Sequence, residues 1–175
     1  MHELFYSPVD VACIISRHML PITDAMKLTR RIWQEDNAYL QSEYRSDYKK
    51  WALAVMYWSD YMQDKAAMDA EFSAVQEMCG GELSDESMLR DDFDMDLFFK
   101  DLRIRILFIS KNECVWMKLR TLLEDYGYKR RSREFVRFVK DRLYFYHIQT
   151  ALTGNHICDV ETMDRLDDMI TFRVL

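Results

Sequence analysis

The sequence predicts a mainly helical, α+β chain: helices fill the first half, and helices with a small antiparallel sheet make up the second. Three observations carry this. Only 4 glycines and 2 prolines occur in 175 residues, too few for a loop-rich β-sandwich or a flexible linker. A long apolar stripe at helical spacing occupies the first half. Short β-type runs fall only in the second. With 49% hydrophobic and 14% aromatic residues, the chain can build a core without metal or disulfide staples and is not a disordered one. The reading divides it into a helical region, 1–81, and an α+β region, 82–175, which could also form one continuous domain.

The first helix is announced by Ser7-Pro8-Val9-Asp10: an N-cap, a first-turn proline and a carboxylate at N3. It should run to about His18 and close before Leu20-Pro21. Thr23 is the expected cap of the second helix, with Ala25, Leu28, Ile32 and Trp33 inward and an extension toward Tyr44. Ser46-Asp47 opens the longest helix. Its stripe is Trp51, Ala54, Trp58, Tyr61, Lys65, Met68, Phe72, Val75 and Cys79, and Gly80-Gly81 supplies a residue free to take positive φ at its end.

Residues 80–101 are acidic. A short helix through Arg90 is expected after Ser84, and Asp92–Leu97 alternates with period two, as a strand or as one face of a helix. Leu102–Ile109, rich in isoleucine, predicts a strand. Ser110 and Glu113 predict a capping box for a helix ending at Tyr126-Gly127. Ser132 caps a helix from Arg133 to about Tyr146. Strands are expected at 147–152 and 169–174, joined by a polar connection.

Cys13, Cys79, Cys114 and Cys158 are scattered, without a C-x-x-C pair, so free thiols in a reducing cytoplasm are expected. The start lacks a basic, apolar leader pattern, and no apolar run reaches the roughly 18 residues of a membrane span. His147, His156 and Cys158 lack paired ligand spacing, so no zinc is expected. Asp92, Asp94 and Asp96 fail as an EF-hand, with Leu97 and Arg103 where glycine and glutamate belong. No P-loop, nucleophile elbow or dinucleotide fingerprint occurs. No cofactor is expected.

The formal charge of −6 hides an asymmetry. Residues 1–79 carry 8 Lys/Arg and 12 Asp/Glu; 80–101 carry 2 and 8; 102–153 carry 12 and 5; 154–175 carry 2 and 5. A basic block within an acidic chain points to a polyanionic partner or to internal neutralisation.

The second half, read in order with a helix before it, resembles a winged helix, in which the second helix of a helix-turn-helix enters the major groove. The candidate recognition helix is the basic one. Lys129, Arg130, Arg131 and Arg133 crowd its start, and Arg137 and Lys140 lie opposite Val139 and Leu143. Guanidinium groups so placed can bind phosphates and the guanine edge. The resemblance implies a DNA-binding regulator. Asp159, Glu161, Asp164, Asp167 and Asp168 in the presumed wing would repel phosphates.

Two rival readings use the acidic segment. Cys79-Gly80-Gly81 followed by Asp92-Phe93-Asp94-Met95, or by Asp94-Met95-Asp96-Leu97, resembles the signature of the polymerase-β-like nucleotidyltransferases. That resemblance implies a glycine turn for triphosphate and two strand aspartates for Mg²⁺. The chain departs from it, because a helix precedes Gly80 and no third carboxylate follows. The other rival is an acidic protein–protein interaction module, or an inhibitor of a nucleic-acid enzyme, with Asp85, Glu86, Asp91, Asp92, Asp94 and Asp96 as its contact. The preferred expectation is a non-enzymatic binding protein acting on nucleic acid or its machinery.

Overall fold

The computed structural model describes residues 4–79, 92–126, 128, 130–152, 156–163 and 165–175; for 64–79 and 92–94 it describes the backbone. The expected short helix around 84–90, and with it Asp85, Glu86 and Asp91, lies outside the described residues. The protein is α+β, with six α-helices and one four-stranded antiparallel sheet among the described residues. It divides into two compact units, Glu3–Met88 and Leu89–Leu175. No described helix is long and apolar enough to cross a membrane.

The first unit holds α1 (Pro8–Arg17), α2 (Ile22–Glu35) and α3 (Tyr48–Cys79). The Ser7 hydroxyl accepts from the Asp10 amide, and the Asp10 carboxylate accepts from the Ser7 amide, which completes the expected capping box. Past His18, Met19 takes φ 48°. Its amide bonds the Ser16 carbonyl, and the Leu20 amide bonds that of Ile15. This pair of bonds satisfies the last carbonyls with a residue other than glycine in the left-handed position. Thr23 does not cap α2, which begins at Ile22 behind Pro21 without a side-chain cap. Nor does α2 reach Tyr44. It ends at Glu35 and is followed by single 3-10 turns at Asn37–Tyr39 and Ser42–Tyr44. The Asn37 amide group holds the bend by donating to the carbonyls of Trp33 and Arg45. Tyr6 reaches back as a one-residue parallel bridge to Leu40, and its hydroxyl donates to buried Asp36.

Asp47 caps α3 by accepting from the Lys50 amide. Within the described side chains, its buried line is Trp51, Val55 and Ser59 rather than Trp51, Ala54, Trp58 and Tyr61. Two short helices, α1 and α2, pack on α3. They take the line four residues apart and leave Leu53, Tyr57 and Tyr61 outside. Trp51 is fully buried, and its indole N–H donates to the Thr29 carbonyl.

The second unit holds α4 (Asp92–Ile104), β1 (Val115–Lys118), α5 (Leu119–Asp125), α6 (Arg133–Phe145), β2 (Ile148–Leu152), β3 (His156–Ile157) and β4 (Met169–Val174). Two expectations fail here. Leu102–Ile109 is not a strand: α4 runs into it and continues as a π-helical turn over Arg105–Ile109, closed by the Ser110 amide on the Arg105 carbonyl at 2.6 Å. Asp92–Leu97 is likewise helical. Every residue from Met95 to Ile104 is buried, so no polar face was left to mark the helical period. The helix expected over 111–126 is a strand and then a short helix. Glu113 takes φ 51°, the Ser110 hydroxyl donates to the Cys114 carbonyl, and no capping box forms.

The sheet order is β1-β4-β2-β3, antiparallel throughout. Val115 pairs with Phe172, and Phe172 with Thr150. Ile170, Phe172 and Val115 point to the core with Leu119, Leu122 and Leu123 of α5.

Trp51→Ala should cost about 3–5 kcal/mol of unfolding free energy, as for a fully buried large side chain. Tyr57→Ala, two-thirds exposed at 66%, should cost less than about 1 kcal/mol. Denaturant titration followed by circular dichroism checks the pair. Equal losses would put the buried line of α3 elsewhere.

Candidate nucleic-acid interface

Ser132 starts α6: its hydroxyl accepts from the Phe135 amide. From there the spacing sorts the side chains. Phe135, Val136, Val139 and Leu143 are buried, whereas Arg133, Arg137, Lys140, Asp141 and Tyr144 are exposed. Tyr144, at 87% exposure, went unnoticed in the sequence. It continues the outward line of Arg133 and Arg137 at helical spacing.

Two arginines hold α6 to α4 at its far end. Arg142 Nε donates to Asp96 Oδ1 at 2.6 Å, with its guanidinium over the Phe138 ring at 4.0 Å. Arg103 of α4 donates to the Tyr146 carbonyl just past the end of α6. Asp96 is buried, and its Oδ2 has no hydrogen-bond partner. Its carboxylate therefore does not face a partner protein. Nor do Asp92 through Asp96 supply strand aspartates, because residues two apart on a helix do not share a face. The arrangement that resembled a nucleotidyltransferase is absent from α4.

The six candidate cations fall into different situations. Lys129 lies outside the described residues. Arg131 is turned inward on the structure: its Nη1 donates to the carbonyls of Val160 and Met163 at 2.9 and 2.8 Å, pinning the connection between β3 and β4. Lys140 is held by two carboxylates of that connection, Asp159 at 2.7 Å and Glu161 at 3.0 Å. Arg130 and Arg133 are exposed. Arg137 is 86% exposed, with Asp141 at 4.0 Å. An open groove of about 460 Å³ runs between this side of α6 and the connection, bordered by Arg131, Arg133, Arg137 and Lys140 with Asp141 and Glu161. It can receive an extended, negatively charged backbone, with the two outward guanidinium groups of Arg133 and Arg137 as donors.

The ion pairs shift their partners. Hydrogen bonds donated to Asp159 and then Glu161 raise the Lys140 ammonium above its usual range. The hydrogen bond from Lys140, then the Glu161 amide, lowers the Asp159 carboxyl. Burial pushes the neighbouring Cys158 thiol up, so it is a poor nucleophile at neutral pH. Among the described residues, no three histidine, cysteine or carboxylate side chains converge as a metal site would require.

Comparison with protein-family models, with curated proteins and with solved structures gives no match.

Arg142→Ala should strand the buried Asp96 carboxylate and cost about 3 kcal/mol or more in denaturant unfolding. Arg142→Ala with Asp96→Leu should recover much of that loss. A negligible loss in the single variant would mean the pair does not hold α6.

The tie between α6 and the connection has a defined pH window. A lowered Asp159 contributes above its ordinary 3.8 and is lost as pH falls through its depressed value. A raised Lys140 contributes below its ordinary 10.5 and is lost as pH rises through its elevated value. Carboxyl ¹³C titration should place Asp159 below 3.8, with a rise toward the ordinary value in Lys140→Gln, where the Glu161 amide still donates to it. A parent midpoint at or above 3.8 would remove the tie.

Proposed function

We propose that the second unit is a winged-helix module and that the protein is a non-enzymatic, cytoplasmic regulator that binds nucleic acid through α6. Duplex DNA is the partner this surface fits best. The observation that carries the reading is the outward line of Arg133 and Arg137 on a helix whose opposite side is buried, with Arg130 just before its cap. Element order supports it: helix α4, strand β1, helices α5 and α6, then strands β2 and β4, with β4 lying between β1 and β2. In such a module α6 would enter the major groove and the connection after β2 would form the wing. The unbridged thiols of Cys114 and Cys158 suit a reducing compartment.

A second reading is favoured by the acidic connection. Asp159 and Glu161 neutralise Lys140, which leaves a mixed-charge surface suited to a protein partner. In that case the module would serve nucleic-acid machinery rather than nucleic acid itself.

Fluorescence anisotropy with labelled duplex DNA separates the two. The parent should bind with steep salt dependence. Arg130→Ala/Arg133→Ala/Arg137→Ala should abolish binding at an unchanged thermal midpoint. Asp159→Asn/Glu161→Gln should free Lys140, tighten binding and steepen the salt slope by about 0.9, one phosphate contact. A triple variant that binds like the parent would contradict the assignment to α6.

A further inference from the structure

The outer face of the sheet is the second surface that asks for an occupant. Along β1 and β4 burial alternates: Val115, Ile170 and Phe172 are buried, while Trp116, Lys118, Met169 and Arg173 are exposed. Registers put Trp116 beside half-buried Thr171, Thr171 beside buried Ala151, and Ala151 beside Ile157, a single row across all four strands whose two ends are exposed. Directly paired residues share a face. Trp116 is 51% exposed and Ile157 74%. An indole left half in water on a flat strand face is unusual in a chain that buries Trp51 completely.

Cations surround it. Lys118 lies two residues along β1, and it pairs with Met169. Arg173 lies diagonally across on β4, two residues beyond the partner of Trp116. Neither cation is in an ion pair among the described residues. The nearby carboxylate of Asp167 is bonded by Arg120 through two bonds of 2.7 and 2.9 Å, and it feels the charge of Lys118 without bonding it. Glu113 borders a recess with Arg173 without pairing to it. The strand residues of this face include two positive charges and no negative one, in a protein of net charge −6.

We infer that this face binds single-stranded nucleic acid, with a base stacked on Trp116 and backbone phosphates held by Lys118 and Arg173. Every base offers a π-face, so stacking on an exposed aromatic with flanking cations is tolerant of sequence. An apolar peptide would gain nothing from the two cations. The surface differs from the α6 groove in its residues: Arg133, Arg137 and Lys140 border the groove, and none of them lies on the sheet.

The test is anisotropy of fluorescein-labelled oligo-deoxythymidine with the full chain. The parent should bind. Trp116→Ala should bind about 5- to 100-fold more weakly, the value of one lost stack, and Trp116→Phe should retain most of the affinity. Lys118→Gln/Arg173→Gln should flatten the salt slope by about 1.4, two single-strand phosphate contacts. Arg130→Ala/Arg133→Ala/Arg137→Ala should bind the oligonucleotide as the parent does, which separates this site from the duplex reading. The inference is overturned if the parent does not bind, if Trp116→Ala binds like the parent, or if the α6 variant loses the oligonucleotide. It is also overturned if phosphatidylserine vesicles, and not the oligonucleotide, bind in a Trp116-dependent way.

Discussion

The second unit depends on charge placed inside it. Arg142 of α6 meets Asp96 of α4, and Arg103 of α4 meets the carbonyl that ends α6. A buried ion pair adds little net stability, because desolvation offsets most of the attraction. Its use here is orientation. Apolar contacts at Val136, Val139 and Leu143 would tolerate some rotation of α6 about its axis. A guanidinium that must find Asp96 does not, since a mismatch would leave a carboxylate buried and unpaired. Fixing that rotation fixes which basic side chains face water.

The basic block from 102 to 153 therefore is not one surface. Arg103, Arg131 and Arg142 bond carbonyls or a carboxylate within the unit, and Lys140 is spent on the connection between β3 and β4. What remains outward on and before α6 is a narrow set, Arg130, Arg133 and Arg137, ending in Tyr144. This division explains how an acidic connection and a basic helix can sit together. The carboxylates meet the cation nearest to them and leave the helix start uncovered.

Local signals were legible where chemistry is local. Ser7, Pro8 and Asp10 announced α1, Ser132 announced α6, and the runs 147–152 and 169–174 announced two strands. Thr23 misled because Pro21, with its fixed φ, starts α2 by itself. The runs 102–109 and 111–118 were misread for a different reason. Met95–Ile104 is enclosed on every side, so its polar residues follow internal partners rather than a helical period. Val115–Lys118 becomes a strand only because Met169–Phe172 lies alongside it, more than fifty residues away. The candidate site was legible as a segment, not as a surface. Composition marks a cation, but only the position of Val160 and Met163 says that Arg131 is committed. Asp96 is the converse case, an apparent surface carboxylate that is an interior partner, and Trp116 gave no sequence signal of its exposure.

The central claim is that the rotation of α6 divides its arginines into an exposed set and a committed set. Limited modification of the native protein by phenylglyoxal, read residue by residue by mass spectrometry, tests it most directly. Arg130, Arg133 and Arg137 should react first, while Arg103, Arg131 and Arg142 stay protected until the protein unfolds. Early modification of Arg142 or Arg131, or protection of Arg133 and Arg137, would contradict the account.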